Sequence, residues 1–213
     1  FYSAPKGAGK THLANAMARL LASREEEGKA KRYITINCSE LKSLSKFVNE
    51  FLIPKVVDQE CTVFFDECHM MPKGIANALL TILNPNKDRR TEYSYEDFDM
   101  EFDFCRQSFM MATTEYDKVF EPLKSRFTEI TLQEYTLDEL GRIATLNLDG
   151  YDFENGVLDD IAAVSRGNAR TATTLADDIK DNLDMLGTKT LTKDIWDYFK
   201  YAHNINPLGL YER

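Results

Sequence analysis

The sequence predicts an α/β fold: a parallel sheet flanked by helices, followed by a small all-helical domain. Three observations predict it. Short apolar runs alternate with helical periodicity over the first part of the chain. The run Thr62-Val63-Phe64-Phe65 is short and apolar in character and ends in acid, which suits a central parallel strand. From Thr136 onward the pattern is helical, which places the boundary between the domains near residue 135.

The elements follow in order. Phe1 to Ala4 reads as the end of a strand, and Pro5 to Gly9 as a loop. Thr11 to about Glu27 predicts an amphipathic helix with Leu13, Met17, Leu20 and Leu21 on its apolar face. Tyr33 to Cys38 alternates as a strand. Phe47 to Val57 predicts a helix interrupted near Pro54, and Gly74 to Leu83 a second one. Asn84-Pro85-Asn86 marks a turn and opens a segment of different character, 84–107. There Tyr93, Tyr95, Phe98, Phe102 and Phe104 alternate with Glu and Asp, which predicts a β-hairpin inserted between two core elements. Ser108 to Thr113 and Thr128 to Leu132 read as further strands. Helices are predicted over 137–148, 155–165, 168–185 and 192–202, with Asp138 and Asp194 in first turns, where negative charge suits the helix dipole. Residues 206–213 read as a linker toward a further domain.

Composition narrows the class. Apolar residues make up 43% and charged residues 29% of 213 positions, ordinary for a globular protein with a sizeable core. No apolar run reaches the roughly 18 residues of a membrane span, so no membrane association is expected. The chain opens on a motif that belongs inside a fold, so further residues are expected upstream and no signal peptide is read. Cys38, Cys61, Cys68 and Cys105 form no C-x-x-C pair, which favours free thiols of a reducing cytoplasm over a zinc site built from Cys61, Cys68 and His69. A net charge of −9 argues against a protein that coats nucleic acid through clustered Lys and Arg.

Five motifs carry chemistry. Ala4-Pro5-Lys6-Gly7-Ala8-Gly9-Lys10-Thr11 fits the phosphate-binding pattern G-x-x-x-x-G-K-[ST] with Ala4 in place of the first glycine. Gly7 and Gly9 let the backbone curl so that successive N–H groups face one point, and the following helix adds its positive end. Pro5, Lys6, Gly7, Ala8, Gly9, Lys10, Thr11 and His12 are the predicted nucleotide-binding stretch. Lys10 would reach the β- and γ-phosphates, and Thr11 would offer its hydroxyl to Mg²⁺. The second motif, Val63-Phe64-Phe65-Asp66-Glu67, lies about 55 residues after Lys10 and delivers two acids to the carboxyl edge of the sheet. Asp66 would hold Mg²⁺ through water; Glu67 would polarise the attacking water. Third, Met110-Met111-Ala112-Thr113-Thr114 ends a strand in hydroxyls, with Thr114 placed to sense the γ-phosphate. Fourth, Pro122-Leu123-Lys124-Ser125-Arg126-Phe127 offers Arg126 as a guanidinium for a neighbouring subunit's site. Fifth, Ser165-Arg166-Gly167-Asn168-Ala169-Arg170 places Arg170 at the opening of a helix in the small domain.

Together these residues resemble an AAA+ ATPase, and nearly the whole chain is similar to the RuvB family of Holliday-junction motors. The matching stretches are Phe1-Tyr2-Ser3-Ala4-Pro5 into the phosphate loop, Asp66-Glu67-Cys68-His69, Ala112-Thr113-Thr114, Pro122 to Phe127, Glu134-Tyr135-Thr136, Arg166 to Arg170, and Leu208-Gly209-Leu210. Ala169 departs from the proline usual in that family. The resemblance implies ATP and Mg²⁺ as cofactors, Thr114 as sensor 1, Arg126 as the arginine finger, Tyr135 near the adenine and Arg170 as sensor 2. It also implies a homo-oligomeric ring, a hexamer, acting on duplex or four-way DNA in the cytoplasm, and a junction-binding partner protein at the hairpin 84–107. A hairpin that covers the sheet is an equal reading of that segment. A clamp-loader-type ATPase, another AAA+ remodelling ATPase and an ATP-switched scaffold remain the alternatives.

Overall fold

The computed structural model describes residues 1–24 and 26–205; the predicted linker at 206–213 lies outside the described residues. The chain divides into two compact units, one made of Phe1–Pro5 with Lys10–Leu132, the other of Lys6–Gly9 with the chain from Gln133.

The first unit is built on a five-stranded sheet. Its strands are β1 (Tyr2–Ser3), β2 (Arg32–Asn37), β3 (Cys61–Asp66), β6 (Gln107–Thr113) and β7 (Ile130–Thr131), in the order β2-β3-β6-β1-β7 and all parallel. Pairing of Phe65 with Met111, Asn37 with Asp66 and Ser3 with Thr113 brings the carboxyl ends level. Strand β3 is central, and its side chains divide between the faces. Val63 and Phe65 join the main core with Phe47, Phe51, Ile75, Leu79 and Met111; Phe64 joins Tyr2, Ala14, Met110 and Ala112 on the other face. The first face is covered by α4 (Lys73–Ile82) and by a helical stretch made of α2 (Leu44–Lys46), a π-helical segment (Phe47–Leu52) and α3 (Ile53–Lys55). That stretch begins before the predicted helix, because Ser43 caps it by accepting from the Lys46 N–H. The wide π turn precedes Pro54, which supplies no N–H to the ladder.

Helix α1 (Lys10–Leu20) corrects the sequence reading twice. It ends at Leu20 rather than near Glu27, and its buried residues are Lys10, Ala14 and Ala18. Leu20 is 83% exposed and Met17 37%. Close approach to the sheet admits alanine where the apolar periodicity had put long side chains.

The insert is a hairpin of β4 (Arg90–Tyr95) and β5 (Phe98–Asp103), antiparallel, with Tyr93 opposite Met100 and Thr91 opposite Phe102. One face is core: Met100 and Phe102 are buried, with Tyr93 and Tyr95 packed beside them. The alternation puts Glu92, Ser94, Asp99 and Glu101 on the opposite, exposed face. Arg90 sits beside Glu101 and Asp103 at 3.1 and 3.7 Å. A short helix, α5 (Glu121–Lys124), precedes β7.

The second unit consists of α6 (Leu137–Asn147), α7 (Val157–Ser165), α8 (Ala169–Leu186) and α9 (Lys193–Ala202). Leu148, Ile161, Leu175, Ile179, Leu183, Trp196 and Phe199 form its core. The unit is not purely helical: β8 (Asp152–Phe153) pairs in parallel with β9 (Thr190–Leu191), a contact between distant segments that periodicity does not reveal. Thr136 and Glu139 make a reciprocal capping box on α6. Among the described residues no helix is long and apolar enough to cross a membrane.

Candidate functional site

Four of the predicted residues meet at the carboxyl edge of the first unit's sheet. Thr11, in the first turn of α1, donates its hydroxyl to Asp66 Oδ2 at 3.4 Å. Asp66 closes β3 and accepts the Glu67 N–H on Oδ1 at 3.0 Å. Glu67 leaves the strand with φ of 49°, a left-handed conformation that costs a non-glycine residue about 1 kcal/mol and clusters at functional sites. The turn aims its carboxylate at the neighbouring strand end, where Thr114 donates to Glu67 Oε2 through its hydroxyl at 2.9 Å and its backbone N–H at 3.3 Å. A pair of acids, a hydroxyl from the phosphate loop's helix and a hydroxyl from β6 thus share one place.

Lys10 is buried at 7% exposure, and its ammonium donates to the carbonyls of Ala4 and Pro5 at 2.8 and 2.9 Å. A buried cation needs such acceptors, and it holds the loop curled around itself. Thr11 and His12 are exposed on the same helix. Arg126 stands apart from this group: it is exposed just after α5, its guanidinium 3.5 Å from Ser125 Oγ.

The remaining loop residues belong to the second unit. Gly7 and Gly9 have φ of 84° and 82°, and both are crowded. A Cβ on Gly7 would lie 2.0 Å from Asn168 Oδ1, and one on Gly9 would lie 2.9 Å from Tyr135 Oη. Positive φ and lack of space each require glycine. Asn168 caps α8 by accepting from the N–H groups of Arg170 and Thr171, and it donates to the Lys6 carbonyl at 3.3 Å. Arg170 is exposed in the first turn of α8, and Tyr135 is half-buried beside Leu140 and Ala172.

The sequence singled out His69 only as an alternative zinc ligand and within the Asp66-Glu67-Cys68-His69 match, and gave no role to Thr113 or Glu115 beside it. His69 lies on the turn after β3, with Nδ1 2.9 Å from Thr113 Oγ1 and 3.4 Å from Glu67 Oε2, and Nε2 3.2 Å from Glu115 Oε1. Thr113 and Glu115 are separated from His69 by more than forty positions, so only strand pairing exposes the group. Asn168 was visible as an Asn before a helix, a capping signal, but its hold on Lys6 was not. Burial pushes the Cys61 and Cys68 thiols up to about 11 and about 12, so both stay protonated and unreactive at neutral pH.

Known proteins resemble this chain in sequence and in fold. The profile of the ATPase family associated with various cellular activities (AAA) matches residues 1–135. The Holliday junction branch migration complex subunit RuvB of Neorickettsia sennetsu is 24% identical over 216 residues, taking in 98% of this chain and 61% of its own length. The corresponding subunit of Chlamydia felis is 29% identical over 198 residues, 90% of this chain and 55% of its own. The solved Thermotoga maritima RuvB Holliday junction branch migration motor superposes with a TM-score of 0.74 at 25% identity, covering 99% of this chain and 63% of that one. The chain therefore spans about three fifths of the length of these RuvB proteins. With a family profile over more than half its length, the chain belongs to the ATPase family associated with various cellular activities.

Proposed function

We propose that this chain is the ATP-hydrolysing core of a ring motor that moves duplex DNA and drives branch migration at four-way junctions. The observation that carries the hydrolytic part is the Glu67 carboxylate, anchored on one oxygen by both donors of Thr114. Among the described residues the protein's contacts with that carboxylate fall on Oε2, which leaves Oε1 to orient and polarise a water for attack on the γ-phosphate. Pro5 to His12 would cradle the phosphates, with Lys10 turning from the loop carbonyls to the β- and γ-phosphates. Thr11 and Asp66 offer only oxygen donors, adjacent to each other, and this suits Mg²⁺ bound partly through water. The ion would neutralise charge on the phosphates. Tyr135 would lie near the adenine, and Arg170 would act in the same subunit. Arg126, exposed and away from the acids, is suited to act on the site of a neighbouring subunit.

The DNA part is supported by the names of the relatives and by the similarity of their chains. The proposed assembly is a hexamer, and its proposed place is the cytoplasm. The exposed acidic face of the hairpin, Glu92, Ser94, Asp99 and Glu101, is suited to a basic patch on a junction-binding partner rather than to DNA itself. The test is phosphate release by the full-length protein with duplex, primed and four-way DNA in parallel. Strongest stimulation by the four-way junction is expected. Stimulation only by a primed junction with a clamp would replace this reading with a clamp loader, and no phosphate release on any DNA would leave an ATP-switched scaffold.

A further inference from the structure

The turn after β3 carries a side chain to which none of these roles applies. The His69 side chain is 7% exposed, and its imidazole spans the ends of two strands. Donor and acceptor roles follow from its neighbours. The Glu115 carboxyl is held below the usual carboxylate range, chiefly by a hydrogen bond from Lys118. An ionised carboxylate can only accept, so the proton on that contact belongs to His69 Nε2. Thr113 Oγ1 already accepts the Glu115 backbone N–H at 3.0 Å and keeps a second lone pair for an Nδ1–H at 2.9 Å, so the ring acts here as a donor through both nitrogens, as it does when it carries a proton on each. The same Nδ1 edge lies 3.4 Å from Glu67 Oε2, the oxygen that Thr114 also holds.

A glutamate has three rotatable side-chain bonds, and one partner on one oxygen leaves it free to swing. A second, charge-assisted contact on the same oxygen, at 3.4 Å, restricts that freedom further. We propose that His69 is the positioning residue of this site: through its Nδ1 edge it locks the anchored oxygen of Glu67 against the end of β6, so that the other oxygen stays on the attacking water. The proposal rests on the reading of Glu67 as the group that orients the water. Glu115 holds the far edge of the ring and sets its rotation. The geometry resembles a metal ligand held by its outer neighbours, with a carboxylate in place of the metal.

The test uses the full-length protein with the DNA that stimulates it. His69→Ala is expected to lower kcat by about tenfold to about a hundredfold, the range for loss of a supporting contact or a misplacement of about 1 Å. KM and the affinity for ATP are expected to stay unchanged. Asparagine can set its amide where Nδ1 stands, so His69→Asn is expected to regain most of the rate. Glutamine reaches instead to the Nε2 position, so His69→Gln is not. An unchanged kcat in His69→Ala overturns the proposal, as does a parallel fall in ATP affinity, or rescue by glutamine as good as by asparagine. If His69→Ala does not fold, the asparagine and glutamine variants decide the question between them. Full turnover in Glu67→Gln would remove the functional reading itself; an inactive Glu67→Gln beside a fully active His69→Ala would remove only the role of His69.

Discussion

The two units bury their apolar residues by different means, and the difference governs where chemistry sits. In the first unit, β3 and β6 are covered on both faces, with Phe64 and Phe65 pointing into separate cores. Few polar groups lie along such strands, Thr62 and Gln107 among them, and the acids and hydroxyls of the site gather where the strands end, at Asp66, Glu67, Thr113 and Thr114. Parallel pairing then levels those ends and brings the groups within hydrogen-bonding distance. In the second unit, each helix buries one stripe around Trp196, Leu175 and Ile179, and its polar residues spread over the outer surface. Polar work there falls to helix starts: Thr136 on α6, Asn168 on α8 and Thr192 on α9 each cap a helix through a side-chain oxygen. A sheet concentrates functional groups by register; a helical bundle places them one terminus at a time.

The largest effect should come from the arginine outside the acid group. Arg126→Ala is expected to lower turnover by about a thousandfold or more while ATP affinity holds. Mixing it with Glu67→Gln should restore some phosphate release if Arg126 serves a neighbour's site, and no recovery on mixing would place its action within one subunit. Next, Glu67→Gln should reduce turnover by about a hundredfold or more with ATP still bound, measured as phosphate release beside equilibrium binding. Full activity would break the link between strand ends and chemistry.

The cores should respond to truncation without any such selectivity. Trp196→Ala, which empties the centre of the helical core, is expected to cost about 3–5 kcal/mol, read by urea unfolding and by hydrogen exchange of α8 amides. A smaller loss, about 1 kcal/mol, is expected from Thr136→Ala, which removes the capping box of α6; a change below a few tenths would show that packing alone sets that helix start. The smallest effect at neutral pH is that of the buried thiols. Their folded values, about 11 for Cys61 and about 12 for Cys68, lie above the ordinary 9.0. The folded state keeps protons that the unfolded chain releases, so their contribution is complete below about pH 9 and is lost as pH rises toward 11 and 12. Thermal melts across pH 8–11 should fall with pH, and Cys61→Ala should flatten the slope.

Much of the site was legible in the sequence because each motif is local. Gly7, Gly9, Lys10 and Thr11 form one stretch, and Asp66 and Glu67 are neighbours at the end of an apolar run. The face of α1 was legible only in part: Leu13 and Leu21 pack against the sheet's core, but Leu20 is exposed and the fully buried apolar residues of the helix are Ala14 and Ala18. Periodicity measures hydrophobicity, whereas a tight helix–sheet approach selects for size. The β8-β9 pair was missed for a related reason, since two-residue strands carry no pattern. The hairpin's alternation was read as a hairpin, but only packing decided that Met100 and Phe102 face the core while the acids face out.

The sequence by itself determined the order of elements, the phosphate loop, the acid pair and the helical character of the second half, because each depends on neighbours along the chain. Tertiary structure alone decided which oxygen of Glu67 is held, that His69 bridges Thr113 and Glu115, and that Asn168 crowds Gly7. Those facts depend on strand register and on close approach of distant segments, and such contacts leave no periodic trace in the chain.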